Sequence, residues 1–236
     1  MQSNLIKGLL NGAQTHVPAL GFTIQAIQAG AQQSGIASSS TVTQLFPNHA
    51  FAARLLLQRF DDLYWDKIVM EQEKRPLRSS SEQDRALKEA VNMLEQKLFV
   101  SVPIKHQLPD ALGALISPSS SRLPITVPNP SSVLHRAYSI ADQALQLAGW
   151  TGNLKLDWYT KRMALTNSFM LAELHMISPE HQGDADISAS IQLYRRLSPK
   201  STLQDSQSYQ NSFPDLTQWA SWASHGWLGI LRSHGF

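Results

Sequence analysis

The chain has 236 residues, enough for one large domain or a domain with appendages, and its 42% hydrophobic content is a globular value. It contains no Cys, which excludes disulfides, thiolate nucleophiles and Cys-ligated metals, and its net charge of +2 excludes strong general attraction to nucleic acid or anionic lipid. Charge is unevenly spread: the stretch between Lys7 and Arg54 holds no Asp, Glu, Lys or Arg, where the chain's own 16% would put about seven. No apolar run reaches the roughly 18–20 residues of a membrane span. The first residues enter a helical pattern directly, with neither an Arg-rich transit peptide nor a secretory signal, so either no address is cleaved or the sequence is a processed form.

Apolar spacings of three and four dominate from end to end and predict about ten helices with no strands. The first helix is expected over Ser3–Val17, stopped by Pro18. A second starts at Gly21-Phe22-Thr23 with Thr23 as N-cap, carries Ile24, Ile27 and Ala31 on one face, and ends at Gly35. Ser38–Ser40 cap a short third helix that closes at Leu45-Phe46-Pro47. A long fourth runs from Asn48 to about Glu73. After the polar loop Arg75–Ser81, Leu87, Ala90, Val91, Leu94 and Leu98 form an amphipathic stripe ending near Pro103. Leu108–Ile116 is a short helix, and Ser117–Ser132, with four prolines and six serines, is a loop. Ser132–Gly149 is helical, Trp150–Leu156 turns, and Asp157–Ile177 and Asp184–Leu197 are further helices. Ser198–Pro214 reads as a flexible linker before a final helix from Asp215 towards Arg232. The expected division is therefore a head at 1–47, a helical core at 48–197, a linker at 198–214 and an amphipathic helix at 215–236.

The head has the layout of a helix-turn-helix, with the short helix in the position that enters a major groove in TetR-type regulators. That helix offers Ser38, Ser39, Ser40, Thr41, Thr43 and Gln44, and no cation. Lys and Arg supply most sequence-independent affinity for DNA, so their absence favours a plain helical subdomain over a DNA reader. A ligand-responsive TetR-type transcription regulator is the alternative function.

In Asp157-Trp158-Tyr159-Thr160-Lys161-Arg162 two aromatics are adjacent, and helix neighbours point about 100° apart. Both cannot face one core. Either one of them is exposed as an interface residue, or the Trp is in the core and the Tyr covers the loop. Lys161-Arg162 reads as a solvated face or a headgroup contact. Farther along the same helix, Met163, Leu165, Phe169, Met170, Leu171, Leu174, Met176 and Ile177 spread around most of the circumference. Such a helix is either core or the lining of an apolar pocket, to which methionines lend adaptability.

The run Asp157–Arg162, followed by Met163-Ala164-Leu165 and Ala172-Glu173-Leu174, resembles the ubiquinone biosynthesis accessory protein family, the ninth coenzyme Q protein. Val17-Pro18, Gly21-Phe22-Thr23, Ala29-Gly30-Ala31, Gly35-Ile36 and Leu45-Phe46-Pro47 follow the same family order. The resemblance covers most of Leu5–Leu197, and Trp158-Tyr159-Thr160 with Lys161-Arg162 is its most specific part. It implies an all-α, TetR-like orthogonal bundle that forms homodimers, binds isoprenoid or phospholipid rather than nucleic acid, and carries no other cofactor. It further implies service to the di-iron demethoxyubiquinone hydroxylase and other coenzyme Q biosynthesis proteins, peripherally on the matrix side of the mitochondrial inner membrane. On this resemblance Leu156, Asp157, Trp158 and Tyr159 are the partner-binding residues. Met163, Leu165, Phe169, Met170 and Leu174 are the lipid-binding ones. The loop Ser117–Ser132 is longer than the family's, and the Trp150–Leu156 turn is shifted by about one residue.

The final helix places Leu216, Trp219, Ala223, Trp227, Ile230 and Leu231 on one stripe with Trp222 at its edge, three of the chain's six Trp residues. Trp favours the membrane interface, so these are candidate membrane-docking residues; packing on the chain itself or on a second copy is the other reading. No catalytic residue is assigned. The eight His residues form no His-Glu-x-x-His or Glu-x-x-His spacing, and no phosphate loop, dinucleotide fingerprint or nucleophile elbow occurs. No metal site and no enzymatic activity are expected.

Overall fold

The computed structural model describes residues 2–35, 37–72, 83–116, 131–150, 155–178 and 184–197. Within them the chain is all-α, as the spacing predicts. The elements are α1 (Gln2–Ala13), α2 (Val17–Leu20), α3 (Ile24–Ser34), α4 (Ser39–Leu45), α5 (His49–Gln72), α6 (Gln83–Ser101), a 3-10 turn at Val102–Ile104, α7 (Leu108–Ile116), α8 (Ser131–Leu147), α9 (Lys155–Ile177) and α10 (Asp184–Leu197). Among the described residues two compact units emerge: 2–66 with 103–116 and 131–133, and 67–72 and 83–102 with those between 134 and 197. The head helices α1–α4 thus share a unit with α7. Of the expected loop Ser117–Ser132, residues 117–130 lie outside the described residues and Ser131 and Ser132 open α8; the linker Ser198–Pro214 and the tail stripe Leu216–Leu231 also lie outside them.

In the first unit, helix ends are fixed by short polar side chains. Thr23 accepts from the Ala26 amide at 3.3 Å, Ser38 from the Thr41 amide at 3.4 Å, and Asn48 from the Phe51 amide at 2.7 Å. Each satisfies one of the amides a helix start leaves without a partner. Gly35 closes α3 with a left-handed φ of 63°, and its amide reaches back to the Ala31 and Gln32 carbonyls. Pro18 does not stop α1, as the sequence suggested. α1 has ended at Ala13, and Pro18 sits in the first turn of α2, where its missing N–H costs nothing.

α1 crosses α3 at glycines. A Cβ added to Gly30 would lie 2.5 Å from the Ala13 amide nitrogen and from the Gly12 carbonyl carbon, so the two backbones are in direct contact. Phe22, buried ahead of α3, meets Phe60 of α5 edge-on at 6.1 Å. Val42 and Phe46 anchor the underside of α4 in the core.

In the second unit α6, α9 and α10 pack on one another. Leu87, Ala90, Leu94 and Leu98 of the expected α6 stripe are buried, while Val91 is half-buried. Tyr194 of α10 is wholly enclosed, and its hydroxyl donates to the Val91 carbonyl at 2.9 Å. Arg195 pairs with Glu95 across the same two helices, its Nε donating to a carboxylate oxygen at 3.0 Å.

Candidate partner-docking site

α9 has two halves. From Leu165 to Ile177 nearly every side chain is buried, so the helix runs through the interior of its unit. In the first two described turns only one side is covered. The polar residues of the interior half are satisfied locally: Thr166 Oγ1 donates to the Arg162 carbonyl at 2.8 Å and Ser168 Oγ to the Ala164 carbonyl at 2.7 Å. Glu173, 2% exposed, accepts from both terminal nitrogens of Arg136 on α8 at 2.7 and 3.1 Å. A carboxylate at that depth requires such a bidentate partner. His175, two residues on, meets Ser190 of α10 at 2.7 Å.

The adjacent aromatics divide as helix geometry requires. Tyr159 is 58% exposed and Trp158 half-buried, with ring centroids 4.8 Å apart and planes at 89°. Met163, one turn after Tyr159 on the same face, is 48% exposed. Together they give α9 a narrow apolar ridge at its start. Leu156 and Asp157 fall in the first turn of α9, but their side chains lie outside the described residues.

The five proposed lipid residues part company. Leu165, Phe169, Met170 and Leu174 are buried in the interior of the unit, whereas Met163 stands outside with Tyr159. The helix period separates position 163 from 165 and 169 by more than a quarter-turn.

Lys161 and Arg162 are each 5% exposed, so they are neither a solvated face nor available to a lipid headgroup. The Arg162 guanidinium lies 3.4 Å from the centroid of the Trp158 ring, and its Nη1 donates to the Tyr138 hydroxyl at 2.8 Å. Its Nη2 pairs with the Asp142 carboxylate. Composition had suggested a solvated cation, but a stacked, hydrogen-bonded guanidinium is far less costly to bury than an isolated one. The signal was present as two i,i+4 pairs, Tyr138–Asp142 and Trp158–Arg162, each presenting both members on one helix face.

The first cations after the charge-free stretch, on α5, turn inward. Arg54 Nε donates to the Ala114 carbonyl at 2.8 Å, satisfying one of the free carbonyls at the end of α7. Arg59 Nε donates to Asn11 Oδ1 at 2.6 Å, and its Nη1 pairs with Asp66 at 3.2 Å. Both are spent on internal contacts, and the exposed side of α4 presents Ser39, Ser40, Thr43 and Gln44. Among the described residues no group of three or more His, Asp or Glu is placed to hold a metal ion, and no helix is long and apolar enough to cross a membrane.

Residues 131–198 match the COQ9 family. The chain is 26% identical over 177 residues to the ubiquinone biosynthesis protein COQ9, mitochondrial, of Drosophila melanogaster, covering 75% of this chain and 50% of that protein. It is 28% identical over 172 residues to the human protein of the same name, covering 72% of this chain and 49% of that one. The chain therefore spans about half the length of the curated relatives it matches. The matched segment contains Asp157–Arg162, on which the resemblance was drawn, and holds α8, α9 and α10 together with every residue of the aromatic site.

Proposed function

From its COQ9 segment and its relation to the COQ9 proteins of ubiquinone biosynthesis, we propose that this chain is a lipid-binding accessory protein of that pathway. In this reading it presents quinone precursors to the di-iron demethoxyubiquinone hydroxylase, as a homodimer held peripherally on the matrix side of the mitochondrial inner membrane. Trp158 and Tyr159 contact the hydroxylase. The observation that carries the reading is the exposed ridge of Tyr159 and Met163 beside Trp158, inside the family segment. Exposed aromatics next to apolar side chains are the usual anchors of protein interfaces.

The lipid function rests on the interior half of α9, where Leu165, Phe169, Met170 and Leu174 are the proposed lining and Met163 the proposed rim. Methionine side chains adapt to ligands of irregular shape. Attachment to the membrane rests on the sequence of the tail alone, through Leu216, Trp219, Trp222, Ala223, Trp227, Ile230 and Leu231. The role is that of an accessory protein, with the chemistry left to the hydroxylase. The alternative, a ligand-responsive regulator of transcription, gains nothing from a head whose nearest arginines are engaged internally.

Tyr159→Lys is the sharpest test, because the side chain is exposed and its ring meets Trp158, itself part of the ridge, rather than the core. Capture of the hydroxylase should be lost, while thermal stability and the lipid detected by native mass spectrometry stay as in the wild type. Loss of both lipid and capture, or of neither, would sink the reading.

A further inference from the structure

The side chains that present the aromatic ridge are themselves held from behind by a cation. Trp158 and Arg162 lie one turn apart on α9, and Tyr138 and Asp142 one turn apart on α8. The guanidinium of Arg162 is the common member. Its Cζ lies over the Trp158 ring, 3.4 Å from the centroid, its Nη1 donates to the Tyr138 hydroxyl at 2.8 Å, and its Nη2 pairs with Asp142. Nothing about charge balance alone requires the stack; Asp142 could be neutralised by a cation in other orientations. The planar guanidinium can offer its edge to two acceptors and its face to an indole at once, whereas an ammonium cannot.

We propose that Arg162 is a positioning residue for the docking surface. Pinned by Tyr138 and Asp142, it fixes the orientation of the Trp158 indole, which in turn seats Tyr159 edge-on at 4.8 Å. A half-buried Trp beside an exposed Tyr would otherwise sample several rotamers and be ordered only on binding. The Arg162 clamp orders both beforehand, so the partner meets a preformed ridge. Loss of that preorganisation lowers affinity by about tenfold, the scale of immobilising one or two large side chains. The inference rests on the reading of this ridge as the hydroxylase-binding face.

The test uses the full chain labelled with 5-fluorotryptophan, with the Trp158 fluorine resonance assigned by its disappearance in Trp158→Phe. In Arg162→Gln and in Arg162→Lys that resonance should shift and broaden while the other Trp resonances hold, and hydroxylase affinity should fall about tenfold. Lysine restores the charge but not the stack, so rescue by Arg162→Lys of both signal and affinity would overturn the proposal. An unmoved Trp158 resonance in Arg162→Gln would do so as well. Should that variant fail to fold because Asp142, which still accepts from Gln146, is left without its cation, the double change Asp142→Asn with Arg162→Gln removes both charges and is read in the same way. If Tyr159→Lys abolishes capture but no Arg162 variant weakens it, positioning falls and the docking face stands. If the fluorine signal moves yet Tyr159→Lys leaves capture intact, the docking face falls, and the positioning role falls with it.

Discussion

Helices α1–α4 of the first unit and α8–α9 of the second solve the same problem, fixing helices against one another, by different means. Helices α1–α4 have no Asp, Glu, Lys or Arg after Lys7 and rely on backbone contact and hydroxyl caps, the buried Arg59 and Asp61 of their unit lying on α5. The unit containing α6, α9 and α10 buries charge and matches it, Arg136 with Glu173 and Arg162 with Asp142. Packing by backbone approach tolerates almost no added volume, because a glycine cross-over has no side chain to rearrange. Packing by buried ion pairs tolerates volume better but not loss of one partner. The charge-poor head is thus a region whose helix positions are set by close approach, and the first arginines beyond it are consumed in capping and bridging its own unit.

The strongest way to break that comparison is to remove half of an ion pair. Glu173→Leu leaves the Arg136 guanidinium buried without its bidentate acceptor and should cost about 3–5 kcal/mol. The double change Arg136→Met with Glu173→Leu should recover most of that loss, since an apolar pair of similar volume often replaces a buried ion pair at little cost. Urea unfolding of the two variants decides the matter. A single variant no less stable than the double would mean that the pair is not what holds α8 to α9.

A smaller effect is expected where the backbones touch. On an open helix Gly→Ala gains about 1 kcal/mol in propensity. At Gly30 the new methyl would sit 2.5 Å from backbone atoms of Gly12 and Ala13, which cannot rotate away. Overpacking of that kind costs about 1–3 kcal/mol, so Gly30→Ala should be destabilising despite the better propensity. A raised urea midpoint would show that α1 and α3 can part without penalty and that the head is looser than the contact implies.

Most helices were legible because their signals are local. Thr23, Gly35, Ser38 and Pro47 mark boundaries through their own backbone preferences, and the α6 stripe follows from period alone. α7 and α10 fell where the apolar pattern put them. What was not legible depends on pairs distant in sequence. Gly30 inside α3 reads as a weak helix position until Gly12 is seen against it. Arg162 reads as solvated until Tyr138 and Asp142, on another helix, are seen to receive it. Pro18 misled because a proline fits the first turn of a helix as well as the end of one. In the site, the 100° step made it legible that Trp158 and Tyr159 could not both face one core, though not which of them is exposed, and Met163 could not be separated from Leu165 and Phe169 by composition. Only the placement of the α9 surface distinguishes a rim residue from an interior one.

The smallest expected effect sharpens the comparison from the other side, at a carboxylate in the first unit that lacks a good match. Burial pushes the Asp62 carboxyl above its ordinary value of 3.8, opposed by Arg59, reinforced by Asp61 and Asp66, and again opposed by Lys7. A raised carboxyl pKa means that the folded chain holds the proton more tightly than the unfolded one. The ionised form is therefore penalised on folding. The penalty is absent below about pH 3.8, where Asp62 is protonated in both states, grows as pH rises towards the elevated folded value, and is complete above it. Asp62→Asn should therefore stabilise the protein modestly at pH 7, with the advantage over wild type shrinking as pH falls below the carboxylate range. The group is only partly buried, so solvent screening keeps the gain below that of either change above. Matched urea melts at the two pH values measure it. A constant difference at both would assign the effect to altered packing or hydrogen bonding, and a less stable Asn variant at pH 7 would mean that the attraction of Arg59 and Lys7 outweighs burial, making the Asp62 carboxylate a matched charge like those of the second unit.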